Sequence, residues 1–119
     1  MADTMQGLKR THYCGDVIEA AIGSEVVVSG WVQRARNLGN LIFIDLRDRS
    51  GVVQLAFGDK TDREVFEKAA GVRGEYVLMA KGILRRRESV NQEIKTGEVE
   101  IEVTDLRVLA KSETPPFEI

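Results

Sequence analysis

The chain has 119 residues, of which 43% are hydrophobic and 30% charged, a composition typical of one ordinary globular domain. Its single cysteine, Cys14, excludes an intrachain disulfide, and with His12 as the only histidine a structural zinc site is not expected. No apolar stretch approaches the length of about 18 residues that a membrane helix needs, and the N-terminal segment lacks the apolar core of a signal peptide. We therefore expect a cytoplasmic domain that binds no metal and no membrane.

Charge is unevenly distributed along the chain, although the net charge is only −2 at pH 7. Arginines concentrate in three segments, at Arg34 and Arg36, at Arg47 and Arg49, and at Arg85, Arg86 and Arg87. Glutamates alternate at Glu98, Glu100 and Glu102. Because proteins that coat nucleic acid without selectivity are usually basic overall, this balance predicts at most a local basic face on an acidic body.

The domain itself is expected between residues 10 and 112, where helical and strand patterns follow one another. Residues 1–9 show no periodicity and predict a disordered N-terminal tail. Residues 13–22 predict a short amphipathic helix, because apolar side chains recur there at helical spacing, namely Val17, Ile18, Ala21 and Ile22. Residues 113–119 contain two consecutive prolines, which cannot donate to a strand ladder, and predict the start of a linker.

Five strands are predicted, at residues 25–36, 41–48, 52–57, 75–86 and 98–109. Gly30 lies within the first strand and predicts a sharp bend there. A helix is predicted between the third and fourth strands, at residues 61–70, with Thr61 and Glu64 forming a capping box at its start. Three strands, a helix and two strands is the order of the OB fold, a five-stranded Greek-key barrel of the all-β class. An SH3-like barrel is the alternative, and the helix favours the OB fold.

Side-chain alternation in the second and third strands predicts a nucleic-acid platform. The core of the barrel takes one parity, at Ile42, Ile44, Leu46, Val53, Leu55 and Phe57. The opposite parity places Phe43 and Gln54 on one outer face, where the ring could stack on an unpaired base and the amide could read its edge. The alternatives are that Phe43 packs under a loop or helix and that Gln54 is merely solvated.

Charged side chains on the other strands extend the same prediction. Arg85 and Arg87 have the outward parity of the fourth strand, and with Arg34 and Arg36 they could hold phosphates or stack on bases. A solvated arginine face is the alternative. Glu100 is outward in the fifth strand, where a carboxylate could accept hydrogen bonds from a guanine or a cytosine amino group.

Several segments resemble the N-terminal anticodon-binding domain of bacterial-type aspartyl-tRNA synthetases, and they cover nearly the whole chain from Arg10 onward. Two lie early, Arg10-Thr11-His12-Tyr13-Cys14-Gly15 and Gly30-Trp31-Val32 followed by Arg34-Ala35-Arg36-Asn37-Leu38-Gly39. The strongest is Leu41-Ile42-Phe43-Ile44-Asp45-Leu46-Arg47-Asp48-Arg49, followed by Gly51 and Val53-Gln54. Two lie late, Thr96-Gly97-Glu98-Val99-Glu100 and Pro115-Pro116-Phe117. The central motif is similar, in looser form, to asparaginyl and lysyl enzymes.

The resemblance implies a role for particular residues in reading the anticodon. Phe43 would stack on the middle base, a uridine, to which Gln54 and Arg36 would hydrogen-bond. Glu100 would read the first, guanine-type base, and Arg87 and Asn91 the third, a cytidine. Support for the RNA backbone or for neighbouring bases would come from three more arginines, Arg34, Arg73 and Arg85. Ala35 departs from the family, which commonly has an arginine there, whereas Leu38 and Asn91 resemble the form that charges only aspartate tRNA.

The same resemblance implies that the intact protein is an aspartate–tRNA ligase. ATP and magnesium would bind in a catalytic domain whose motifs this sequence lacks, so the chain alone would hold no cofactor and catalyse no reaction. The intact protein would be a homodimer and the isolated domain a monomer. Two alternatives come from other functional classes: a free-standing OB-fold binder of single-stranded nucleic acid, and a barrel whose outer face docks a protein.

Overall fold

A computed structural model describes residues 7–88, 92 and 96–111 of the chain. Five strands run through it: β1 (Glu25–Asn37), β2 (Ile42–Asp48), β3 (Gly51–Phe57), β4 (Val77–Arg86) and β5 (Val99–Ala110). A 3₁₀ helix (Cys14–Glu19) precedes β1, and helix α1 (Arg63–Ala70) lies between β3 and β4. The predicted linker, most of the predicted tail and Asn91 lie outside the described residues.

The strands close into a barrel in the order β1-β2-β3-β5-β4. β3 and β5 pair in parallel, and the other neighbours pair antiparallel. A five-stranded barrel with a helix between β3 and β4 confirms the predicted OB fold, including a short helix before the first strand.

β1 is long enough to join two neighbours, and it changes partner near its middle. Its first half, from Glu25 to Trp31, pairs with β4, and from Trp31 onward it pairs with β2. At Gly30 the backbone carbonyl of Arg47 approaches so closely that a Cβ atom would collide with it. Glycine is therefore required where the two halves of the barrel meet along this strand.

The interior contains the side chains that alternation predicted. Ile42, Ile44 and Leu46 from β2 are at most 1% exposed, and so are their β3 counterparts Val53, Leu55 and Phe57. Each buried aliphatic or aromatic side chain of this size contributes about 1.5–3 kcal/mol relative to an exposed one. The strand pattern thus accounts for most of the stabilising burial of the barrel.

Helix α1 covers part of the barrel with Ala69, while Val65 and Phe66 are partly buried against the core. The predicted capping box is wrong. Asp62 is the N-cap residue, and its side chain accepts from the backbone N–H of Glu64. The hydroxyl of Thr61 instead accepts from the N–H of Gly58, 2.8 Å away, so it is already engaged in the turn that follows β3.

The N-terminal helix is shorter than predicted, and its periodicity explains the difference. In a 3₁₀ helix residues three apart share a face, so Cys14 and Val17 are both fully buried. Ile18 and Ile22 are 42% and 54% exposed, which shows that the predicted amphipathic α-helical stripe is wrong.

Asp48, at the end of β2, fastens the N-terminal segment to the barrel. It is 4% exposed and accepts from the backbone N–H of Cys14 at 2.7 Å and from that of Ser50 at 2.8 Å. Burial alone would raise the pKa of Asp48, but the hydrogen bonds from Ser50 and Cys14 outweigh burial and lower that pKa below its ordinary value. The ionised carboxylate is therefore the form that the fold stabilises.

Replacing the carboxylate by an amide in Asp48→Asn should lower the free energy of unfolding by about 1–3 kcal/mol, because an N–H group would then face backbone N–H donors. The advantage of the wild type should be fully present above the unfolded-state pKa of about 3.9 and disappear as pH falls through the lower folded-state pKa. Denaturant unfolding at several pH values measures both effects. The matched control is Asp59→Asn at an exposed aspartate. Equal stability of the two variants at pH 7 would contradict the role given to Asp48.

Candidate nucleic-acid interface

One outer region of the barrel collects a polar or aromatic side chain from every strand. The five are Arg36 from β1, Phe43 from β2, Gln54 from β3, Arg85 from β4 and Glu100 from β5. Strand register brings them together, since Arg36 lies opposite Phe43, and Glu100 lies opposite both Gln54 and Arg85. We refer to these five residues as the five-strand cluster.

Hydrogen bonds join four members of the cluster, all but Phe43, in an unbroken chain. Arg36 Nη2 donates to Gln54 Oε1 at 3.1 Å, and Gln54 Nε2 donates to Glu100 Oε1 at 2.7 Å. The second oxygen of Glu100 accepts from Arg85 Nε at 2.7 Å. Arg85 then reaches Glu102, donating from Nη1 to Oε2 at 3.0 Å. Cations and carboxylates alternate along the chain. Arg85 binds two carboxylates directly, and the Gln54 amide lies between Arg36 and Glu100.

Its two neighbours fix the orientation of the Gln54 amide. A guanidinium can only donate hydrogen bonds and a carboxylate can only accept them. The amide oxygen must therefore face Arg36 and the amide nitrogen must face Glu100. One N–H and one oxygen lone pair of the amide are left over by these two bonds, and their positions are fixed as well.

Burial corrects one expectation for the third strand. Gln54 has the outward parity that was predicted, but it is only 4% exposed, and Glu100 is 6% exposed. The solvated alternative for Gln54 is therefore wrong. The pairing of β3 with β5 explains the burial, because it sets the two side chains directly against each other.

Phe43 lies outside the hydrophobic core and is half-buried at the surface. The guanidinium carbon of Arg36 is 5.2 Å from the centre of its ring, within the range of a cation–π contact. Arg36 thus contacts both the ring and the Gln54 amide. The ring is held at the surface by a side chain that is itself fixed.

A pocket of about 320 Å³ opens at this cluster, within the range of small-ligand sites, roughly 300–1,000 Å³. Its lining comprises Arg36, Leu41, Phe43, Gln54, Ala56, Phe57, Arg85, Arg87, Glu88 and Glu100. Arg87 Nε is buried in this structure without a hydrogen-bond partner among the described residues. A buried donor that stays unpaired costs about 1–3 kcal/mol, because it has lost its hydrogen bonds to water. An acceptor on a bound ligand would remove that cost.

The remaining residues named from the sequence lie elsewhere or are not described. Arg34 is exposed on β1, two residues before Arg36 of the pocket lining. Arg73 is exposed in the segment between α1 and β4 and donates to the carbonyl of Val72 at 3.3 Å. Asn91 lies outside the described residues. The structure therefore brings six of the nine candidates to the pocket, namely Arg36, Phe43, Gln54, Arg85, Arg87 and Glu100.

One contact beside the pocket was missed from the sequence. Glu102 binds Arg85, and the signal was available, because cross-strand diagonals of this kind lie within reach of long side chains. Leu41 and Ala56 have the outward parity that was predicted, and they supply apolar lining beside Phe43, which lies opposite Ala56 in the β2–β3 pair. In residues 7–88, 92 and 96–111 no group of acidic, histidine and cysteine side chains is arranged to hold a metal ion, and none of the helices there could span a bilayer.

Known proteins resemble this chain over nearly its whole length. Residues 26–109 match the family described as OB-fold nucleic acid binding domain. An aspartate–tRNA ligase of Limosilactobacillus fermentum is 54% identical over 112 residues, which are 94% of this chain and 19% of that protein. An aspartate–tRNA(Asp/Asn) ligase of Thermoanaerobacter pseudethanolicus is 51% identical over 121 aligned positions, covering 100% of this chain and 20% of that protein.

A solved structure agrees with these sequence relatives. The aspartyl tRNA synthetase from Entamoeba histolytica superposes with a TM-score of 0.77 at 25% identity, covering 92% of this chain and 23% of that one. The chain thus spans about a fifth of the length of the curated relatives it matches. On the strength of the matched residues and the closed five-stranded barrel, the chain belongs to the family of OB-fold nucleic acid binding domains and has aspartate–tRNA ligases as its relatives.

Proposed function

We propose that this domain binds the anticodon loop of aspartate tRNA as the N-terminal part of a cytoplasmic aspartate–tRNA ligase. The observation that carries the proposal is the orientation of the Gln54 amide between Arg36 and Glu100, beside the half-buried ring of Phe43. An aromatic face binds any base by stacking. An amide whose donor and acceptor are held in place can distinguish one base edge from another.

Phe43 and Gln54 read the middle base together. Uridine presents a donor at N3 beside an acceptor at O4, which suits an amide that offers oxygen to the first and nitrogen to the second. Cytidine presents the reverse order, acceptor then donor, and would need the amide turned by 180°. Turning it would set the Gln54 nitrogen against Arg36 and its oxygen against Glu100. Both hydrogen bonds would be lost, so the fixed amide favours uridine.

The flanking bases meet charged groups. Each oxygen of Glu100 already accepts one hydrogen bond, but a carboxylate has about four acceptor positions, so Glu100 can also accept from a guanine-type first base. Arg87 offers its unpaired Nε to an acceptor on the third base, a cytidine, together with Asn91. Arg34 and Arg73 support the RNA backbone or neighbouring bases, and Arg85 supports the first base by holding the second oxygen of Glu100.

Chemistry belongs to the rest of the protein in this proposal. The relatives are ligases about five times as long as the chain, so ATP and magnesium would act in the part that lies outside this sequence. Recognition by this domain would orient the tRNA so that its acceptor end reaches that distant site. The intact protein would be a homodimer and the isolated domain a monomer.

Titration of the 119-residue chain with anticodon stem-loops tests the proposal. The aspartate loop should bind more tightly than unrelated loops of the same length. Equal affinity for all loops would favour a binder of single strands without sequence preference. Absence of binding at low salt, where attraction to phosphates is strongest, would favour a protein-docking barrel.

Removal of the ring in Phe43→Ala should weaken binding of the aspartate loop by about 1–3 kcal/mol, the usual value of one stacked base. Because Phe43 lies outside the core, the circular dichroism spectrum should be unchanged. Phe43→Tyr keeps an aromatic face and serves as the control, with near wild-type affinity. An unchanged dissociation constant in Phe43→Ala would remove stacking from the mechanism.

Loss of the amide in Gln54→Ala should reduce the preference for uridine over cytidine at the middle position more than it reduces affinity. The measurement is the ratio of dissociation constants for two loops that differ only in that base. Gln33→Ala changes an exposed glutamine of β1 and should leave the ratio unchanged. A uniform loss of affinity for both loops in Gln54→Ala would argue against direct reading of the base.

A further inference from the structure

Glu102 lies at the far end of the hydrogen-bond chain and does not line the pocket. Its carboxylate binds Arg85 at 3.0 Å, and Arg85 in turn binds Glu100 at 2.7 Å. Glu100 is the group that receives the Gln54 amide nitrogen. A residue that touches no base is thereby linked, through two charged side chains, to the amide proposed to read the middle base.

Arg85 has two competing uses on this surface. Its side chain is 43% exposed, so it can leave the carboxylates and bind a phosphate of a nearby RNA strand. When it does, Glu100 loses the cation that holds its second oxygen. The competition is decided by how firmly the carboxylates retain the guanidinium, and Glu102 supplies one of the two bonds that do so.

We propose that Glu102 is a positioning residue that sets the base selectivity of the domain by holding Arg85 on Glu100 and away from RNA phosphates. This inference rests on the proposed anticodon function. With Arg85 held, Glu100 stays fixed and the Gln54 amide keeps one orientation. With Arg85 released, the surface gains a phosphate contact that is blind to sequence, while Glu100 and the amide gain freedom to turn.

The geometry separates this role from a general effect of charge. Glu98 also pairs with an arginine, Arg86, but at 3.6 Å, and both side chains are about 70% exposed. Among the described residues the Glu98 carboxylate pairs with Arg86, which is outside the five-strand cluster, whereas the Glu102 carboxylate is half as exposed, at 35%, and binds Arg85 of the cluster directly. Removing either carboxylate changes the net charge by the same amount, but only Glu102 is connected to Glu100 through Arg85.

The experiment compares Glu102→Gln with Glu98→Gln in the 119-residue chain, using stem-loops that carry uridine or cytidine at the middle anticodon position. Glu102→Gln should reduce the uridine-to-cytidine affinity ratio by roughly threefold to tenfold. It should also steepen the salt dependence of binding, because one further phosphate contact adds about 0.7 to the slope of log K against log salt for a single strand. Glu98→Gln should leave the ratio at its wild-type value.

Glu102→Asp is the conservative variant, which keeps the charge and should recover most of the selectivity. Thermal unfolding of each variant checks the fold, and a merely structural role would lower stability without changing the ratio or the salt slope. If the wild type prefers the uridine loop and Glu102→Gln has the same affinity ratio, this inference is overturned and the proposed function stands. A wild type that binds both loops equally overturns the proposed function and this inference together.

Discussion

Closure of the barrel sets β3 beside β5, the parallel strand pair within the described part of the chain, and Gln54 lies opposite Glu100 there. Burying an amide against a carboxylate costs free energy unless both are hydrogen-bonded. The 2.7 Å bond between them pairs the amide nitrogen with one carboxylate oxygen. Arg36 pairs with the amide oxygen, and Arg85 pairs with the second carboxylate oxygen. The five-strand cluster therefore cannot form before the barrel closes. The barrel and the five-strand cluster are completed by the same contact.

A partly buried polar chain of this kind is not a main source of stability. Ion pairs taken out of water recover little more than their desolvation cost, and apolar replacements are often as stable. What the chain adds is direction, since the Gln54 amide can keep both of its hydrogen bonds in only one orientation. In a chain with a net charge of −2, general attraction to phosphates is weak, so the proposed function depends on directional contacts for discrimination.

Strand alternation was sufficient to predict the core and the outward position of Phe43. Burial alternates without exception along β2, with Ile42, Ile44 and Leu46 inside and Phe43 outside, so one register satisfies the strand. Burial of Gln54 could not be predicted in the same way, because its partner Glu100 is 46 residues away along the chain. The position of a residue in a strand predicts on which face of the sheet its side chain lies. Whether that side chain is buried depends on the neighbouring strand.

Local chemistry at the helices was harder to predict for a related reason. Thr61 and Asp62 are both good N-cap residues, and the choice between them was made by the turn after β3, where Gly58 already uses the Thr61 hydroxyl. The form of the N-terminal helix likewise depends on the residues that attach it to the barrel. Cys14 is held by Asp48, and the spacing of three between Cys14 and Val17 suits a 3₁₀ turn better than the stripe seen in the sequence.

Cys14 carries the only sulfhydryl group of the chain, and it lies fully buried where the N-terminal segment meets the barrel. Burial, reinforced by the neighbouring Asp48 carboxylate, raises the pKa of the thiol, so the reactive thiolate is scarce while the segment stays in place. An alkylating reagent can modify the sulfur only after that segment lifts away. The rate of alkylation thus reports, from a native atom and without any added label, how often this end of the domain opens.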